Sequence, residues 1–356
     1  MESTFTKEEK LFLDKQVEFM EKCERGELVP YIYSDEIIIS VIIPVYRAAA
    51  TIKKAIRSIQ NQKFKQLEII LYDDASPDNS YTIMEELQKE DKRINLYKNE
   101  TNRGCFFTRL TASLLAKGKY IIYLDNDDMF TRDDIFDILY NEIESNNYDV
   151  VEFNGYSTHD YHLINKEKNI KSTSTFDKEI ILTQPELSKL IIKKVDKDKV
   201  EIGDMYLWGK IIKADIMKKS INIIGKERYE QKVLFHDDDC VNYILFKNIQ
   251  TFKFINIFGI FYYTNQESVT HSKRPFQTCF DVLFFFNFLM EFSQDDEKEN
   301  IGLLFLDNWN YKVTDGLNDT NSSFAKDIIK KFLESHYIKD ETKEKIKGKC
   351  KDLNIN

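Results

Sequence analysis

The sequence predicts an α/β protein built on a parallel sheet with helices on both faces. Three observations carry that reading. From Ile37, short apolar runs alternate with helical segments of about ten to fifteen residues. The runs are predominantly apolar, as strands buried on both faces require. Several of them end directly in carboxylates, where an open parallel sheet places its ligands.

The elements follow in order. "IIISVII" reads as the first strand, "TIKKAIRSIQNQ" as a helix, "LEIILY" as the second strand and "YTIMEELQKE" as a helix. "INLY" is the third strand, "FFTRLTASLLAKG" a helix, "KYIIYL" the fourth strand, "DDIFDILYNEIES" a helix and "DVVEF" a further strand. Before them, Phe5, Leu11, Phe12, Val17, Phe19 and Met20 recur at helical spacing, so residues 1–36 are expected to be an N-terminal helical extension ending near Gly26 and Pro30. Residues 157–200 are polar and lysine-rich, with one expected helix at "PELSKLIIKK". A second ordered block begins near Asp204. Residues 275–356 alternate an aromatic-rich helix, "FDVLFFFNFLMEF", with a charged one, "KDETKEKIKGKCKD". The expected division is therefore an extension (1–36), a catalytic domain (37–274) and a C-terminal helical region (275–356).

Composition narrows the function. The chain has 356 residues, 42% of them hydrophobic, enough for one large core or two ordinary ones. Lys and Arg total 51 against 60 Asp and Glu, a net charge of -9, which argues against nucleic acid as a partner. Five cysteines lie far apart with no CxxC pair, as expected for reduced thiols in a cytoplasmic protein. "MESTFTKEEK" lacks the apolar core of a signal peptide, and no apolar stretch approaches the roughly 20 residues of a membrane span. The chain reads as soluble, with a peripheral membrane position open to it through a lipid-borne acceptor. Neither GxGxxG nor GxxxxGK[ST] occurs, so the usual glycine cradles for dinucleotides and triphosphates are missing.

The polar residues behind the strands should converge on one crevice. They are Pro44, Tyr46 and Arg47 after "SVII", Asp73 and Asp74 after "LEIILY", and Asp125, Asp127 and Asp128 after "KYIIYL". Crowded carboxylates at one strand end are costly unless a cation neutralises them, and a hard divalent ion such as Mg or Mn, completed by phosphate oxygens, suits them. In isolation, a DxDD is more often a solvated turn whose last Asp caps the next helix. A calcium loop starting at Asp125 fails, because Phe130 and Phe136 stand where Gly and Glu are required. A DxD-type metal-dependent phosphatase stays open as a rival, although Met129 and the three preceding strands fit it poorly.

Taken together, the motifs resemble the family 2 glycosyltransferases of GT-A fold. "SVIIPVYRAAATIKKAIRSIQNQKF" resembles their opening strand, Pro-x-Tyr loop and first helix, and "LEIILYDDASPDNS" their Asp-Asp-x-Ser-x-Asp strand end. "NETNRGCFFTRLTASLLAKGKYIIYLDNDD" is similar to their Asn-x-Gly turn, arginine-bearing helix and DxD segment. "YLWGKIIKADIM", "FHDDDCVNYILFKN" and "FGIFYYTNQESVTH" extend the likeness to about Ser272. The resemblance implies a Rossmann-like, mixed but mostly parallel sheet flanked by helices.

It also implies roles. Pro44, Tyr46, Asp73 and Asp74 would hold the nucleotide of a UDP-linked sugar donor, with Arg109 on its ribose or diphosphate. Asp127 would bind Mn2+ or Mg2+, Asp125 would bind ribose or share the metal, and His271 is a candidate third ligand. Inverting transfer to a hydroxyl on a glycan, lipid or protein needs one general base, which maps to Asp238, with Asp237 in the usual Glu position. The third acid, Asp239, leaves the choice of base open. Trp208 is a candidate for the acceptor site and equally a core aromatic. Arg47 and Leu110 replace residues that are usually Asn. A nucleotide-binding protein without transfer activity is the remaining alternative, and the donor sugar, acceptor and oligomeric state are not encoded legibly.

Overall fold

The structure is a computed structural model that describes residues 5–28, 34, 36–166, 171–174, 176–194, 200–203, 206–264, 275–308 and 319–349. In chain order its elements are α1 (Lys7–Glu24), β1 (Ile39–Val45), α2 (Ile52–Gln60), β2 (Leu67–Asp73), α3 (Ser80–Glu90), β3 (Ile94–Lys98), α4 (Cys105–Leu115), β4 (Tyr120–Tyr123) and β5 (Met129–Phe130). Then come α5 (Ile135–Asn146), β6 (Val150–Thr158), β7 (Lys171–Ser172), β8 (Ile180–Thr183), β9 (Ile192–Lys194), β10 (Val200–Ile202) and β11 (Lys210–Lys213). The last are α6 (Ala214–Ile224), α7 (Lys226–Tyr229), α8 (Asp237–Asn248), β12 (Thr251–Tyr263), α9 (Pro275–Phe292), α10 (Lys298–Asn308), α11 (Asp319–Glu334) and α12 (Asp340–Lys349).

These elements form two compact units. The first comprises residues 1–184, 207–232 and 248–266, and the second residues 185–206, 233–247 and 267–356. The first unit holds a ten-stranded sheet in the order β3-β2-β1-β4-β11-β6-β12-β5, with β7 on β6 and β8 on β12. β3, β2, β1 and β4 run parallel. β11 is antiparallel to both β4 and β6, and β12 is again parallel to β6. The sheet is thus mixed and mostly parallel. All seven residues of β1 are buried, Ser40 among them, as a strand covered on both faces requires. On α2, Ile52, Ala55, Ile56 and Ile59 share one face at i, i+3, i+4 and i+7, and all four enter the sheet core. α1 is capped by a Thr6–Glu9 capping box and buries Leu13, Val17 and Met20 in a cluster with Met129, Tyr156 and Phe261.

Two expectations need correction. "PELSKLIIKK" is not a helix: Leu187–Leu190 make one 3-10 turn and Ile192–Lys194 pair antiparallel with Val200–Ile202. Ile191 and Ile192 are β-branched and stiff at χ1, and the hairpin of the second unit gives them a buried pairing that a helix there would not. Asp128 does not cap α5, whose N-cap residue is Asp134. The second unit also contains the predicted aromatic helix α9, whose Phe286 packs against Phe305 and Phe332. Among the described residues, no helix is long and apolar enough to cross a membrane.

Candidate active site

The carboxyl ends of β2, β1 and β4 lie side by side, because these strands are neighbours in the sheet. Hydrogen bonds then stitch their loops together. Asp74 N–H donates to the Val45 carbonyl (2.8 Å), Arg47 N–H to Ser76 Oγ (3.2 Å), Ala48 N–H to Ser80 Oγ (2.8 Å) and Asn126 Nδ2 to the Pro44 carbonyl (3.1 Å). The sequence-predicted residues Pro44, Tyr46, Asp73, Asp74, Asp125 and Asp127 are therefore brought to one edge of the sheet.

That edge carries backbone strain. Arg47 (φ 53°) and Ala75 (φ 55°) occupy the left-handed region at the ends of adjacent strands, a conformation costing roughly 1–2 kcal/mol each for a residue with a Cβ. The inter-loop bonds hold them there. Tyr46 stays 38% exposed, with the Arg47 guanidinium 5.4 Å from its ring centroid, so an apolar face remains open beside the acids.

The two acids at the carboxyl end of β2, Asp73 and Asp74, do different things. Asp73 accepts the Ser76 N–H on Oδ2 (3.1 Å), while its buried Oδ1 has no hydrogen-bond partner. Asp74 holds the turn ahead of α4: Oδ1 accepts Asn99 Nδ2 (2.8 Å) and Arg103 N–H (2.7 Å), and Oδ2 accepts Gly104 N–H (2.8 Å). Burial raises the Asp74 pKa, and these donors counter it only in part. Gly104, at φ 91° and ψ 163°, sits where essentially only glycine is found.

At the end of β4, buried Arg109 donates from Nη2 to Asp125 Oδ1 (3.1 Å), so α4 and β4 are joined by an ion pair. Asp127 is half-buried, and burial together with the Asp125 charge pushes its pKa up to about 6, with Lys54 offsetting part of the effect. Fully buried Asp128 accepts the Tyr263 N–H of β12 on Oδ1 (2.9 Å), whereas its Oδ2 has no partner. Its pKa is raised well above the ordinary range, first by burial and then by Asp127 and Asp125. Lys54 lies 5.0 Å from the Tyr263 ring centroid. Sequence reasoning passed over Lys54 because it projects from an amphipathic helix like any solvent-side lysine, and over Asn99 and Asn126 because no motif marks them.

Other predicted residues fall elsewhere. Trp208, the candidate acceptor residue, is buried in the sheet core and stacked on Tyr262, with ring centroids 5.1 Å apart at 15°. Asp237 and Asp238 lie on the first turn of α8 in the second unit. Asp239 accepts a hydrogen bond from His236 Nδ1 (2.5 Å). His271 lies outside the described residues.

With this geometry in hand, comparison with known proteins is informative. Residues 40–197 match the profile described as glycosyl transferase family 2. This segment is a family 2 glycosyltransferase domain. The family 2 domain spans every strand-end acid described above. Relatives include the glycosyltransferase EpsJ of Bacillus subtilis, 24% identical over 68% of this chain and 65% of that protein. A glycosyltransferase of Haemophilus influenzae is 38% identical over 27% of this chain and 38% of its own. The Escherichia coli protein WfaP, named a UDP-Glc:alpha-D-GlcNAc-diphosphoundecaprenol beta-1,3-glucosyltransferase, is 28% identical over 52% of this chain and 75% of its own. The chain thus spans less than two thirds of the first two of these relatives. Staphylococcus aureus TarS 1-349, solved in complex with UDP-GlcNAc, superposes with a TM-score of 0.62 over 89% of each chain at 13% identity. That likeness is one of fold, and it is the GT-A fold.

Proposed function

We propose that this chain transfers a sugar from a UDP-linked donor to a hydroxyl acceptor, with inversion and with the help of a divalent cation. The observation that carries the reading is the convergence of Asp73, Asp74, Asp125 and Asp127 on one sheet edge within a family 2 domain. The names of the relatives support the donor: WfaP takes UDP-Glc, and TarS was solved with UDP-GlcNAc and with UDP.

The residues present fit a metal. Asp127 carries a carboxylate whose ionisation is disfavoured by burial and by Asp125, the environment that a hard cation relieves. No group of three or more His, Cys, Asp or Glu side chains able to hold a metal occurs among the described residues. Two carboxylates plus diphosphate and water oxygens match the way Mg2+ is usually bound with nucleotides. Asp127 and Asp125 would hold the ion, which when bound neutralises the diphosphate as negative charge develops on it.

The chain's own residues supply the rest. Arg109 orients Asp125 through their ion pair. Asp74 fixes the Asn99–Gly104 turn, and Tyr46 offers an aromatic face to the base. Asp238 takes the proton of the acceptor hydroxyl as its oxygen bonds to the sugar carbon, while the electron pair of the breaking C–O bond leaves with the diphosphate. The test is a panel of nucleotide sugars assayed for nucleotide release. UDP-sugar turnover that vanishes in Asp238→Asn while UDP binding persists is the expected result. UDP binding without turnover by the wild-type protein would leave a binder, not an enzyme.

A further inference from the structure

Lys54 sits on the first turn of α2, which leaves the sheet just after the carboxyl end of β1, so its side chain starts at the same edge as the strand-end acids. One helical turn on, Ser58 Oγ accepts the Phe130 N–H (3.1 Å), and four residues later Gln62 Nε2 donates to the Arg132 carbonyl (2.7 Å). Residues 54, 58 and 62 thus form one stripe, whose two later members are bonded to the segment that follows Asp128. Lys54 continues this stripe towards the acids. Its ammonium lies 5.0 Å from the ring centroid of Tyr263, whose own N–H is bound by Asp128 Oδ1 at 2.9 Å. The same charge acts on both Asp127 and Asp128, opposing the rise that burial gives their pKa values. Even so, the half-buried Lys54 ammonium makes no hydrogen bond or ion pair among the described residues. Arg109, by contrast, is committed to Asp125. An ammonium held partly out of water without a carboxylate is costly, and a ring face offsets only part of that cost.

We propose that Lys54 is a donor-binding residue: its ammonium takes a phosphate oxygen of the nucleoside diphosphate beside Asp127. The inference rests on the donor reading given above, and every residue it uses lies in the first unit. Charge balance requires such a cation. One divalent ion cancels the carboxylates of Asp125 and Asp127, so the negative charge of the diphosphate itself falls to the protein's own cations. Lysine suits that task as a compact point charge on a flexible stem, and the Tyr263 ring holds it in place without neutralising it. An ion pair with Asp127 or Asp128 would have consumed the charge before the donor arrives.

The experiment compares wild type, Lys54→Met and Lys54→Arg for binding of UDP and of uridine by calorimetric titration, each with Mn2+ and with EDTA. Urea unfolding is measured on each variant. Met keeps the unbranched stem and its contact with the Tyr263 ring but not the charge. Uridine has no phosphate, so it reports the base and ribose pocket alone. The expected result is a UDP Kd at least about fivefold higher in Lys54→Met, the scale of one lost charged contact, with uridine binding within about twofold of wild type. Lys54→Arg should recover most of the UDP affinity, because the guanidinium keeps the charge and stacks on an aromatic face. A smaller rise in Lys54→Met, an equal loss for uridine, a loss that only tracks the folded fraction, or an Arg variant no better than Met would each overturn the proposal. Wild-type protein that binds UDP neither with Mn2+ nor with EDTA would overturn the donor reading, and this inference with it. UDP bound equally by wild type and Lys54→Met would overturn this inference alone.

Discussion

Replacing Asp127 by Asn should make the metal-free protein more stable while destroying metal-dependent nucleotide binding. Burial and the neighbouring Asp125 raise the Asp127 pKa from its ordinary 3.8 to about 6. A raised carboxylate pKa means that the folded state holds its proton more tightly than the unfolded chain does. Ionisation therefore costs the fold nothing below about pH 4, increasingly more between pH 4 and 6, and the full amount above pH 6. At about 1.4 kcal/mol for each pH unit, the full cost is about 3 kcal/mol, an upper figure because the side chain keeps some contact with water. Asn has the same shape and no charge, so at pH 8 the variant should gain up to that amount in a urea titration without metal. Below pH 4 the gain should disappear. Wild-type protein should be stabilised by UDP with Mn2+ at pH 8, and Asp127→Asn should not. A variant no more stable than wild type at pH 8, still stabilised by UDP with Mn2+, would refute both the buried-charge argument and the metal assignment.

Three further outcomes follow from the same geometry. In wild type, stabilisation by UDP with Mn2+ should weaken as pH falls through about 6, because the cation must then displace the Asp127 proton; constant stabilisation down to pH 5 would place the metal elsewhere. Asp74→Ala leaves Asn99 Nδ2 and the N–H groups of Arg103 and Gly104 without their acceptor, and should cost about 3 kcal/mol in denaturant unfolding together with the loss of UDP binding. Gly104→Ala forces a Cβ into a backbone region that is essentially glycine-only, and should cost about 1–3 kcal/mol and weaken UDP binding through the same turn. Calorimetric titration of UDP checks both binding effects.

Much of the sheet was legible because its strands announce themselves. The runs at β1, β2 and β4 are predominantly apolar and buried, and the helix α2 between the first two carries apolar residues at 3.6-residue spacing. The two-residue strands β5 and β7 have no pattern to read, and they exist only because β12 and β6 lie beside them. Residues 187–194 misled for a related reason: a hairpin partner at 200–202 decided between helix and strand. At the site, residue types were legible and their duties were not. Asp125, Asp127 and Asp128 look alike as letters. Asp128 differs because Tyr263, far along the chain, donates its N–H to it, and Asp125 because Arg109 of α4 reaches it. No motif announces that the Asp74 oxygens accept from the turn at residues 99–104. By contrast, the His236–Asp239 pair has i, i+3 helical spacing and was open to a reader who asked what neutralises three adjacent acids.

The central claim is that the strand-end acids of this family 2 domain serve transfer from a nucleotide sugar. Nucleotide release from a panel of UDP-, GDP-, CDP- and dTDP-linked sugars, with Mn2+ or Mg2+ and without acceptor, tests it most directly. The account predicts metal-dependent release of UDP from at least one UDP-sugar, lost in both Asp127→Asn and Asp238→Asn. Release that survives in Asp127→Asn, or no release from any sugar in the panel by a folded protein, would contradict it.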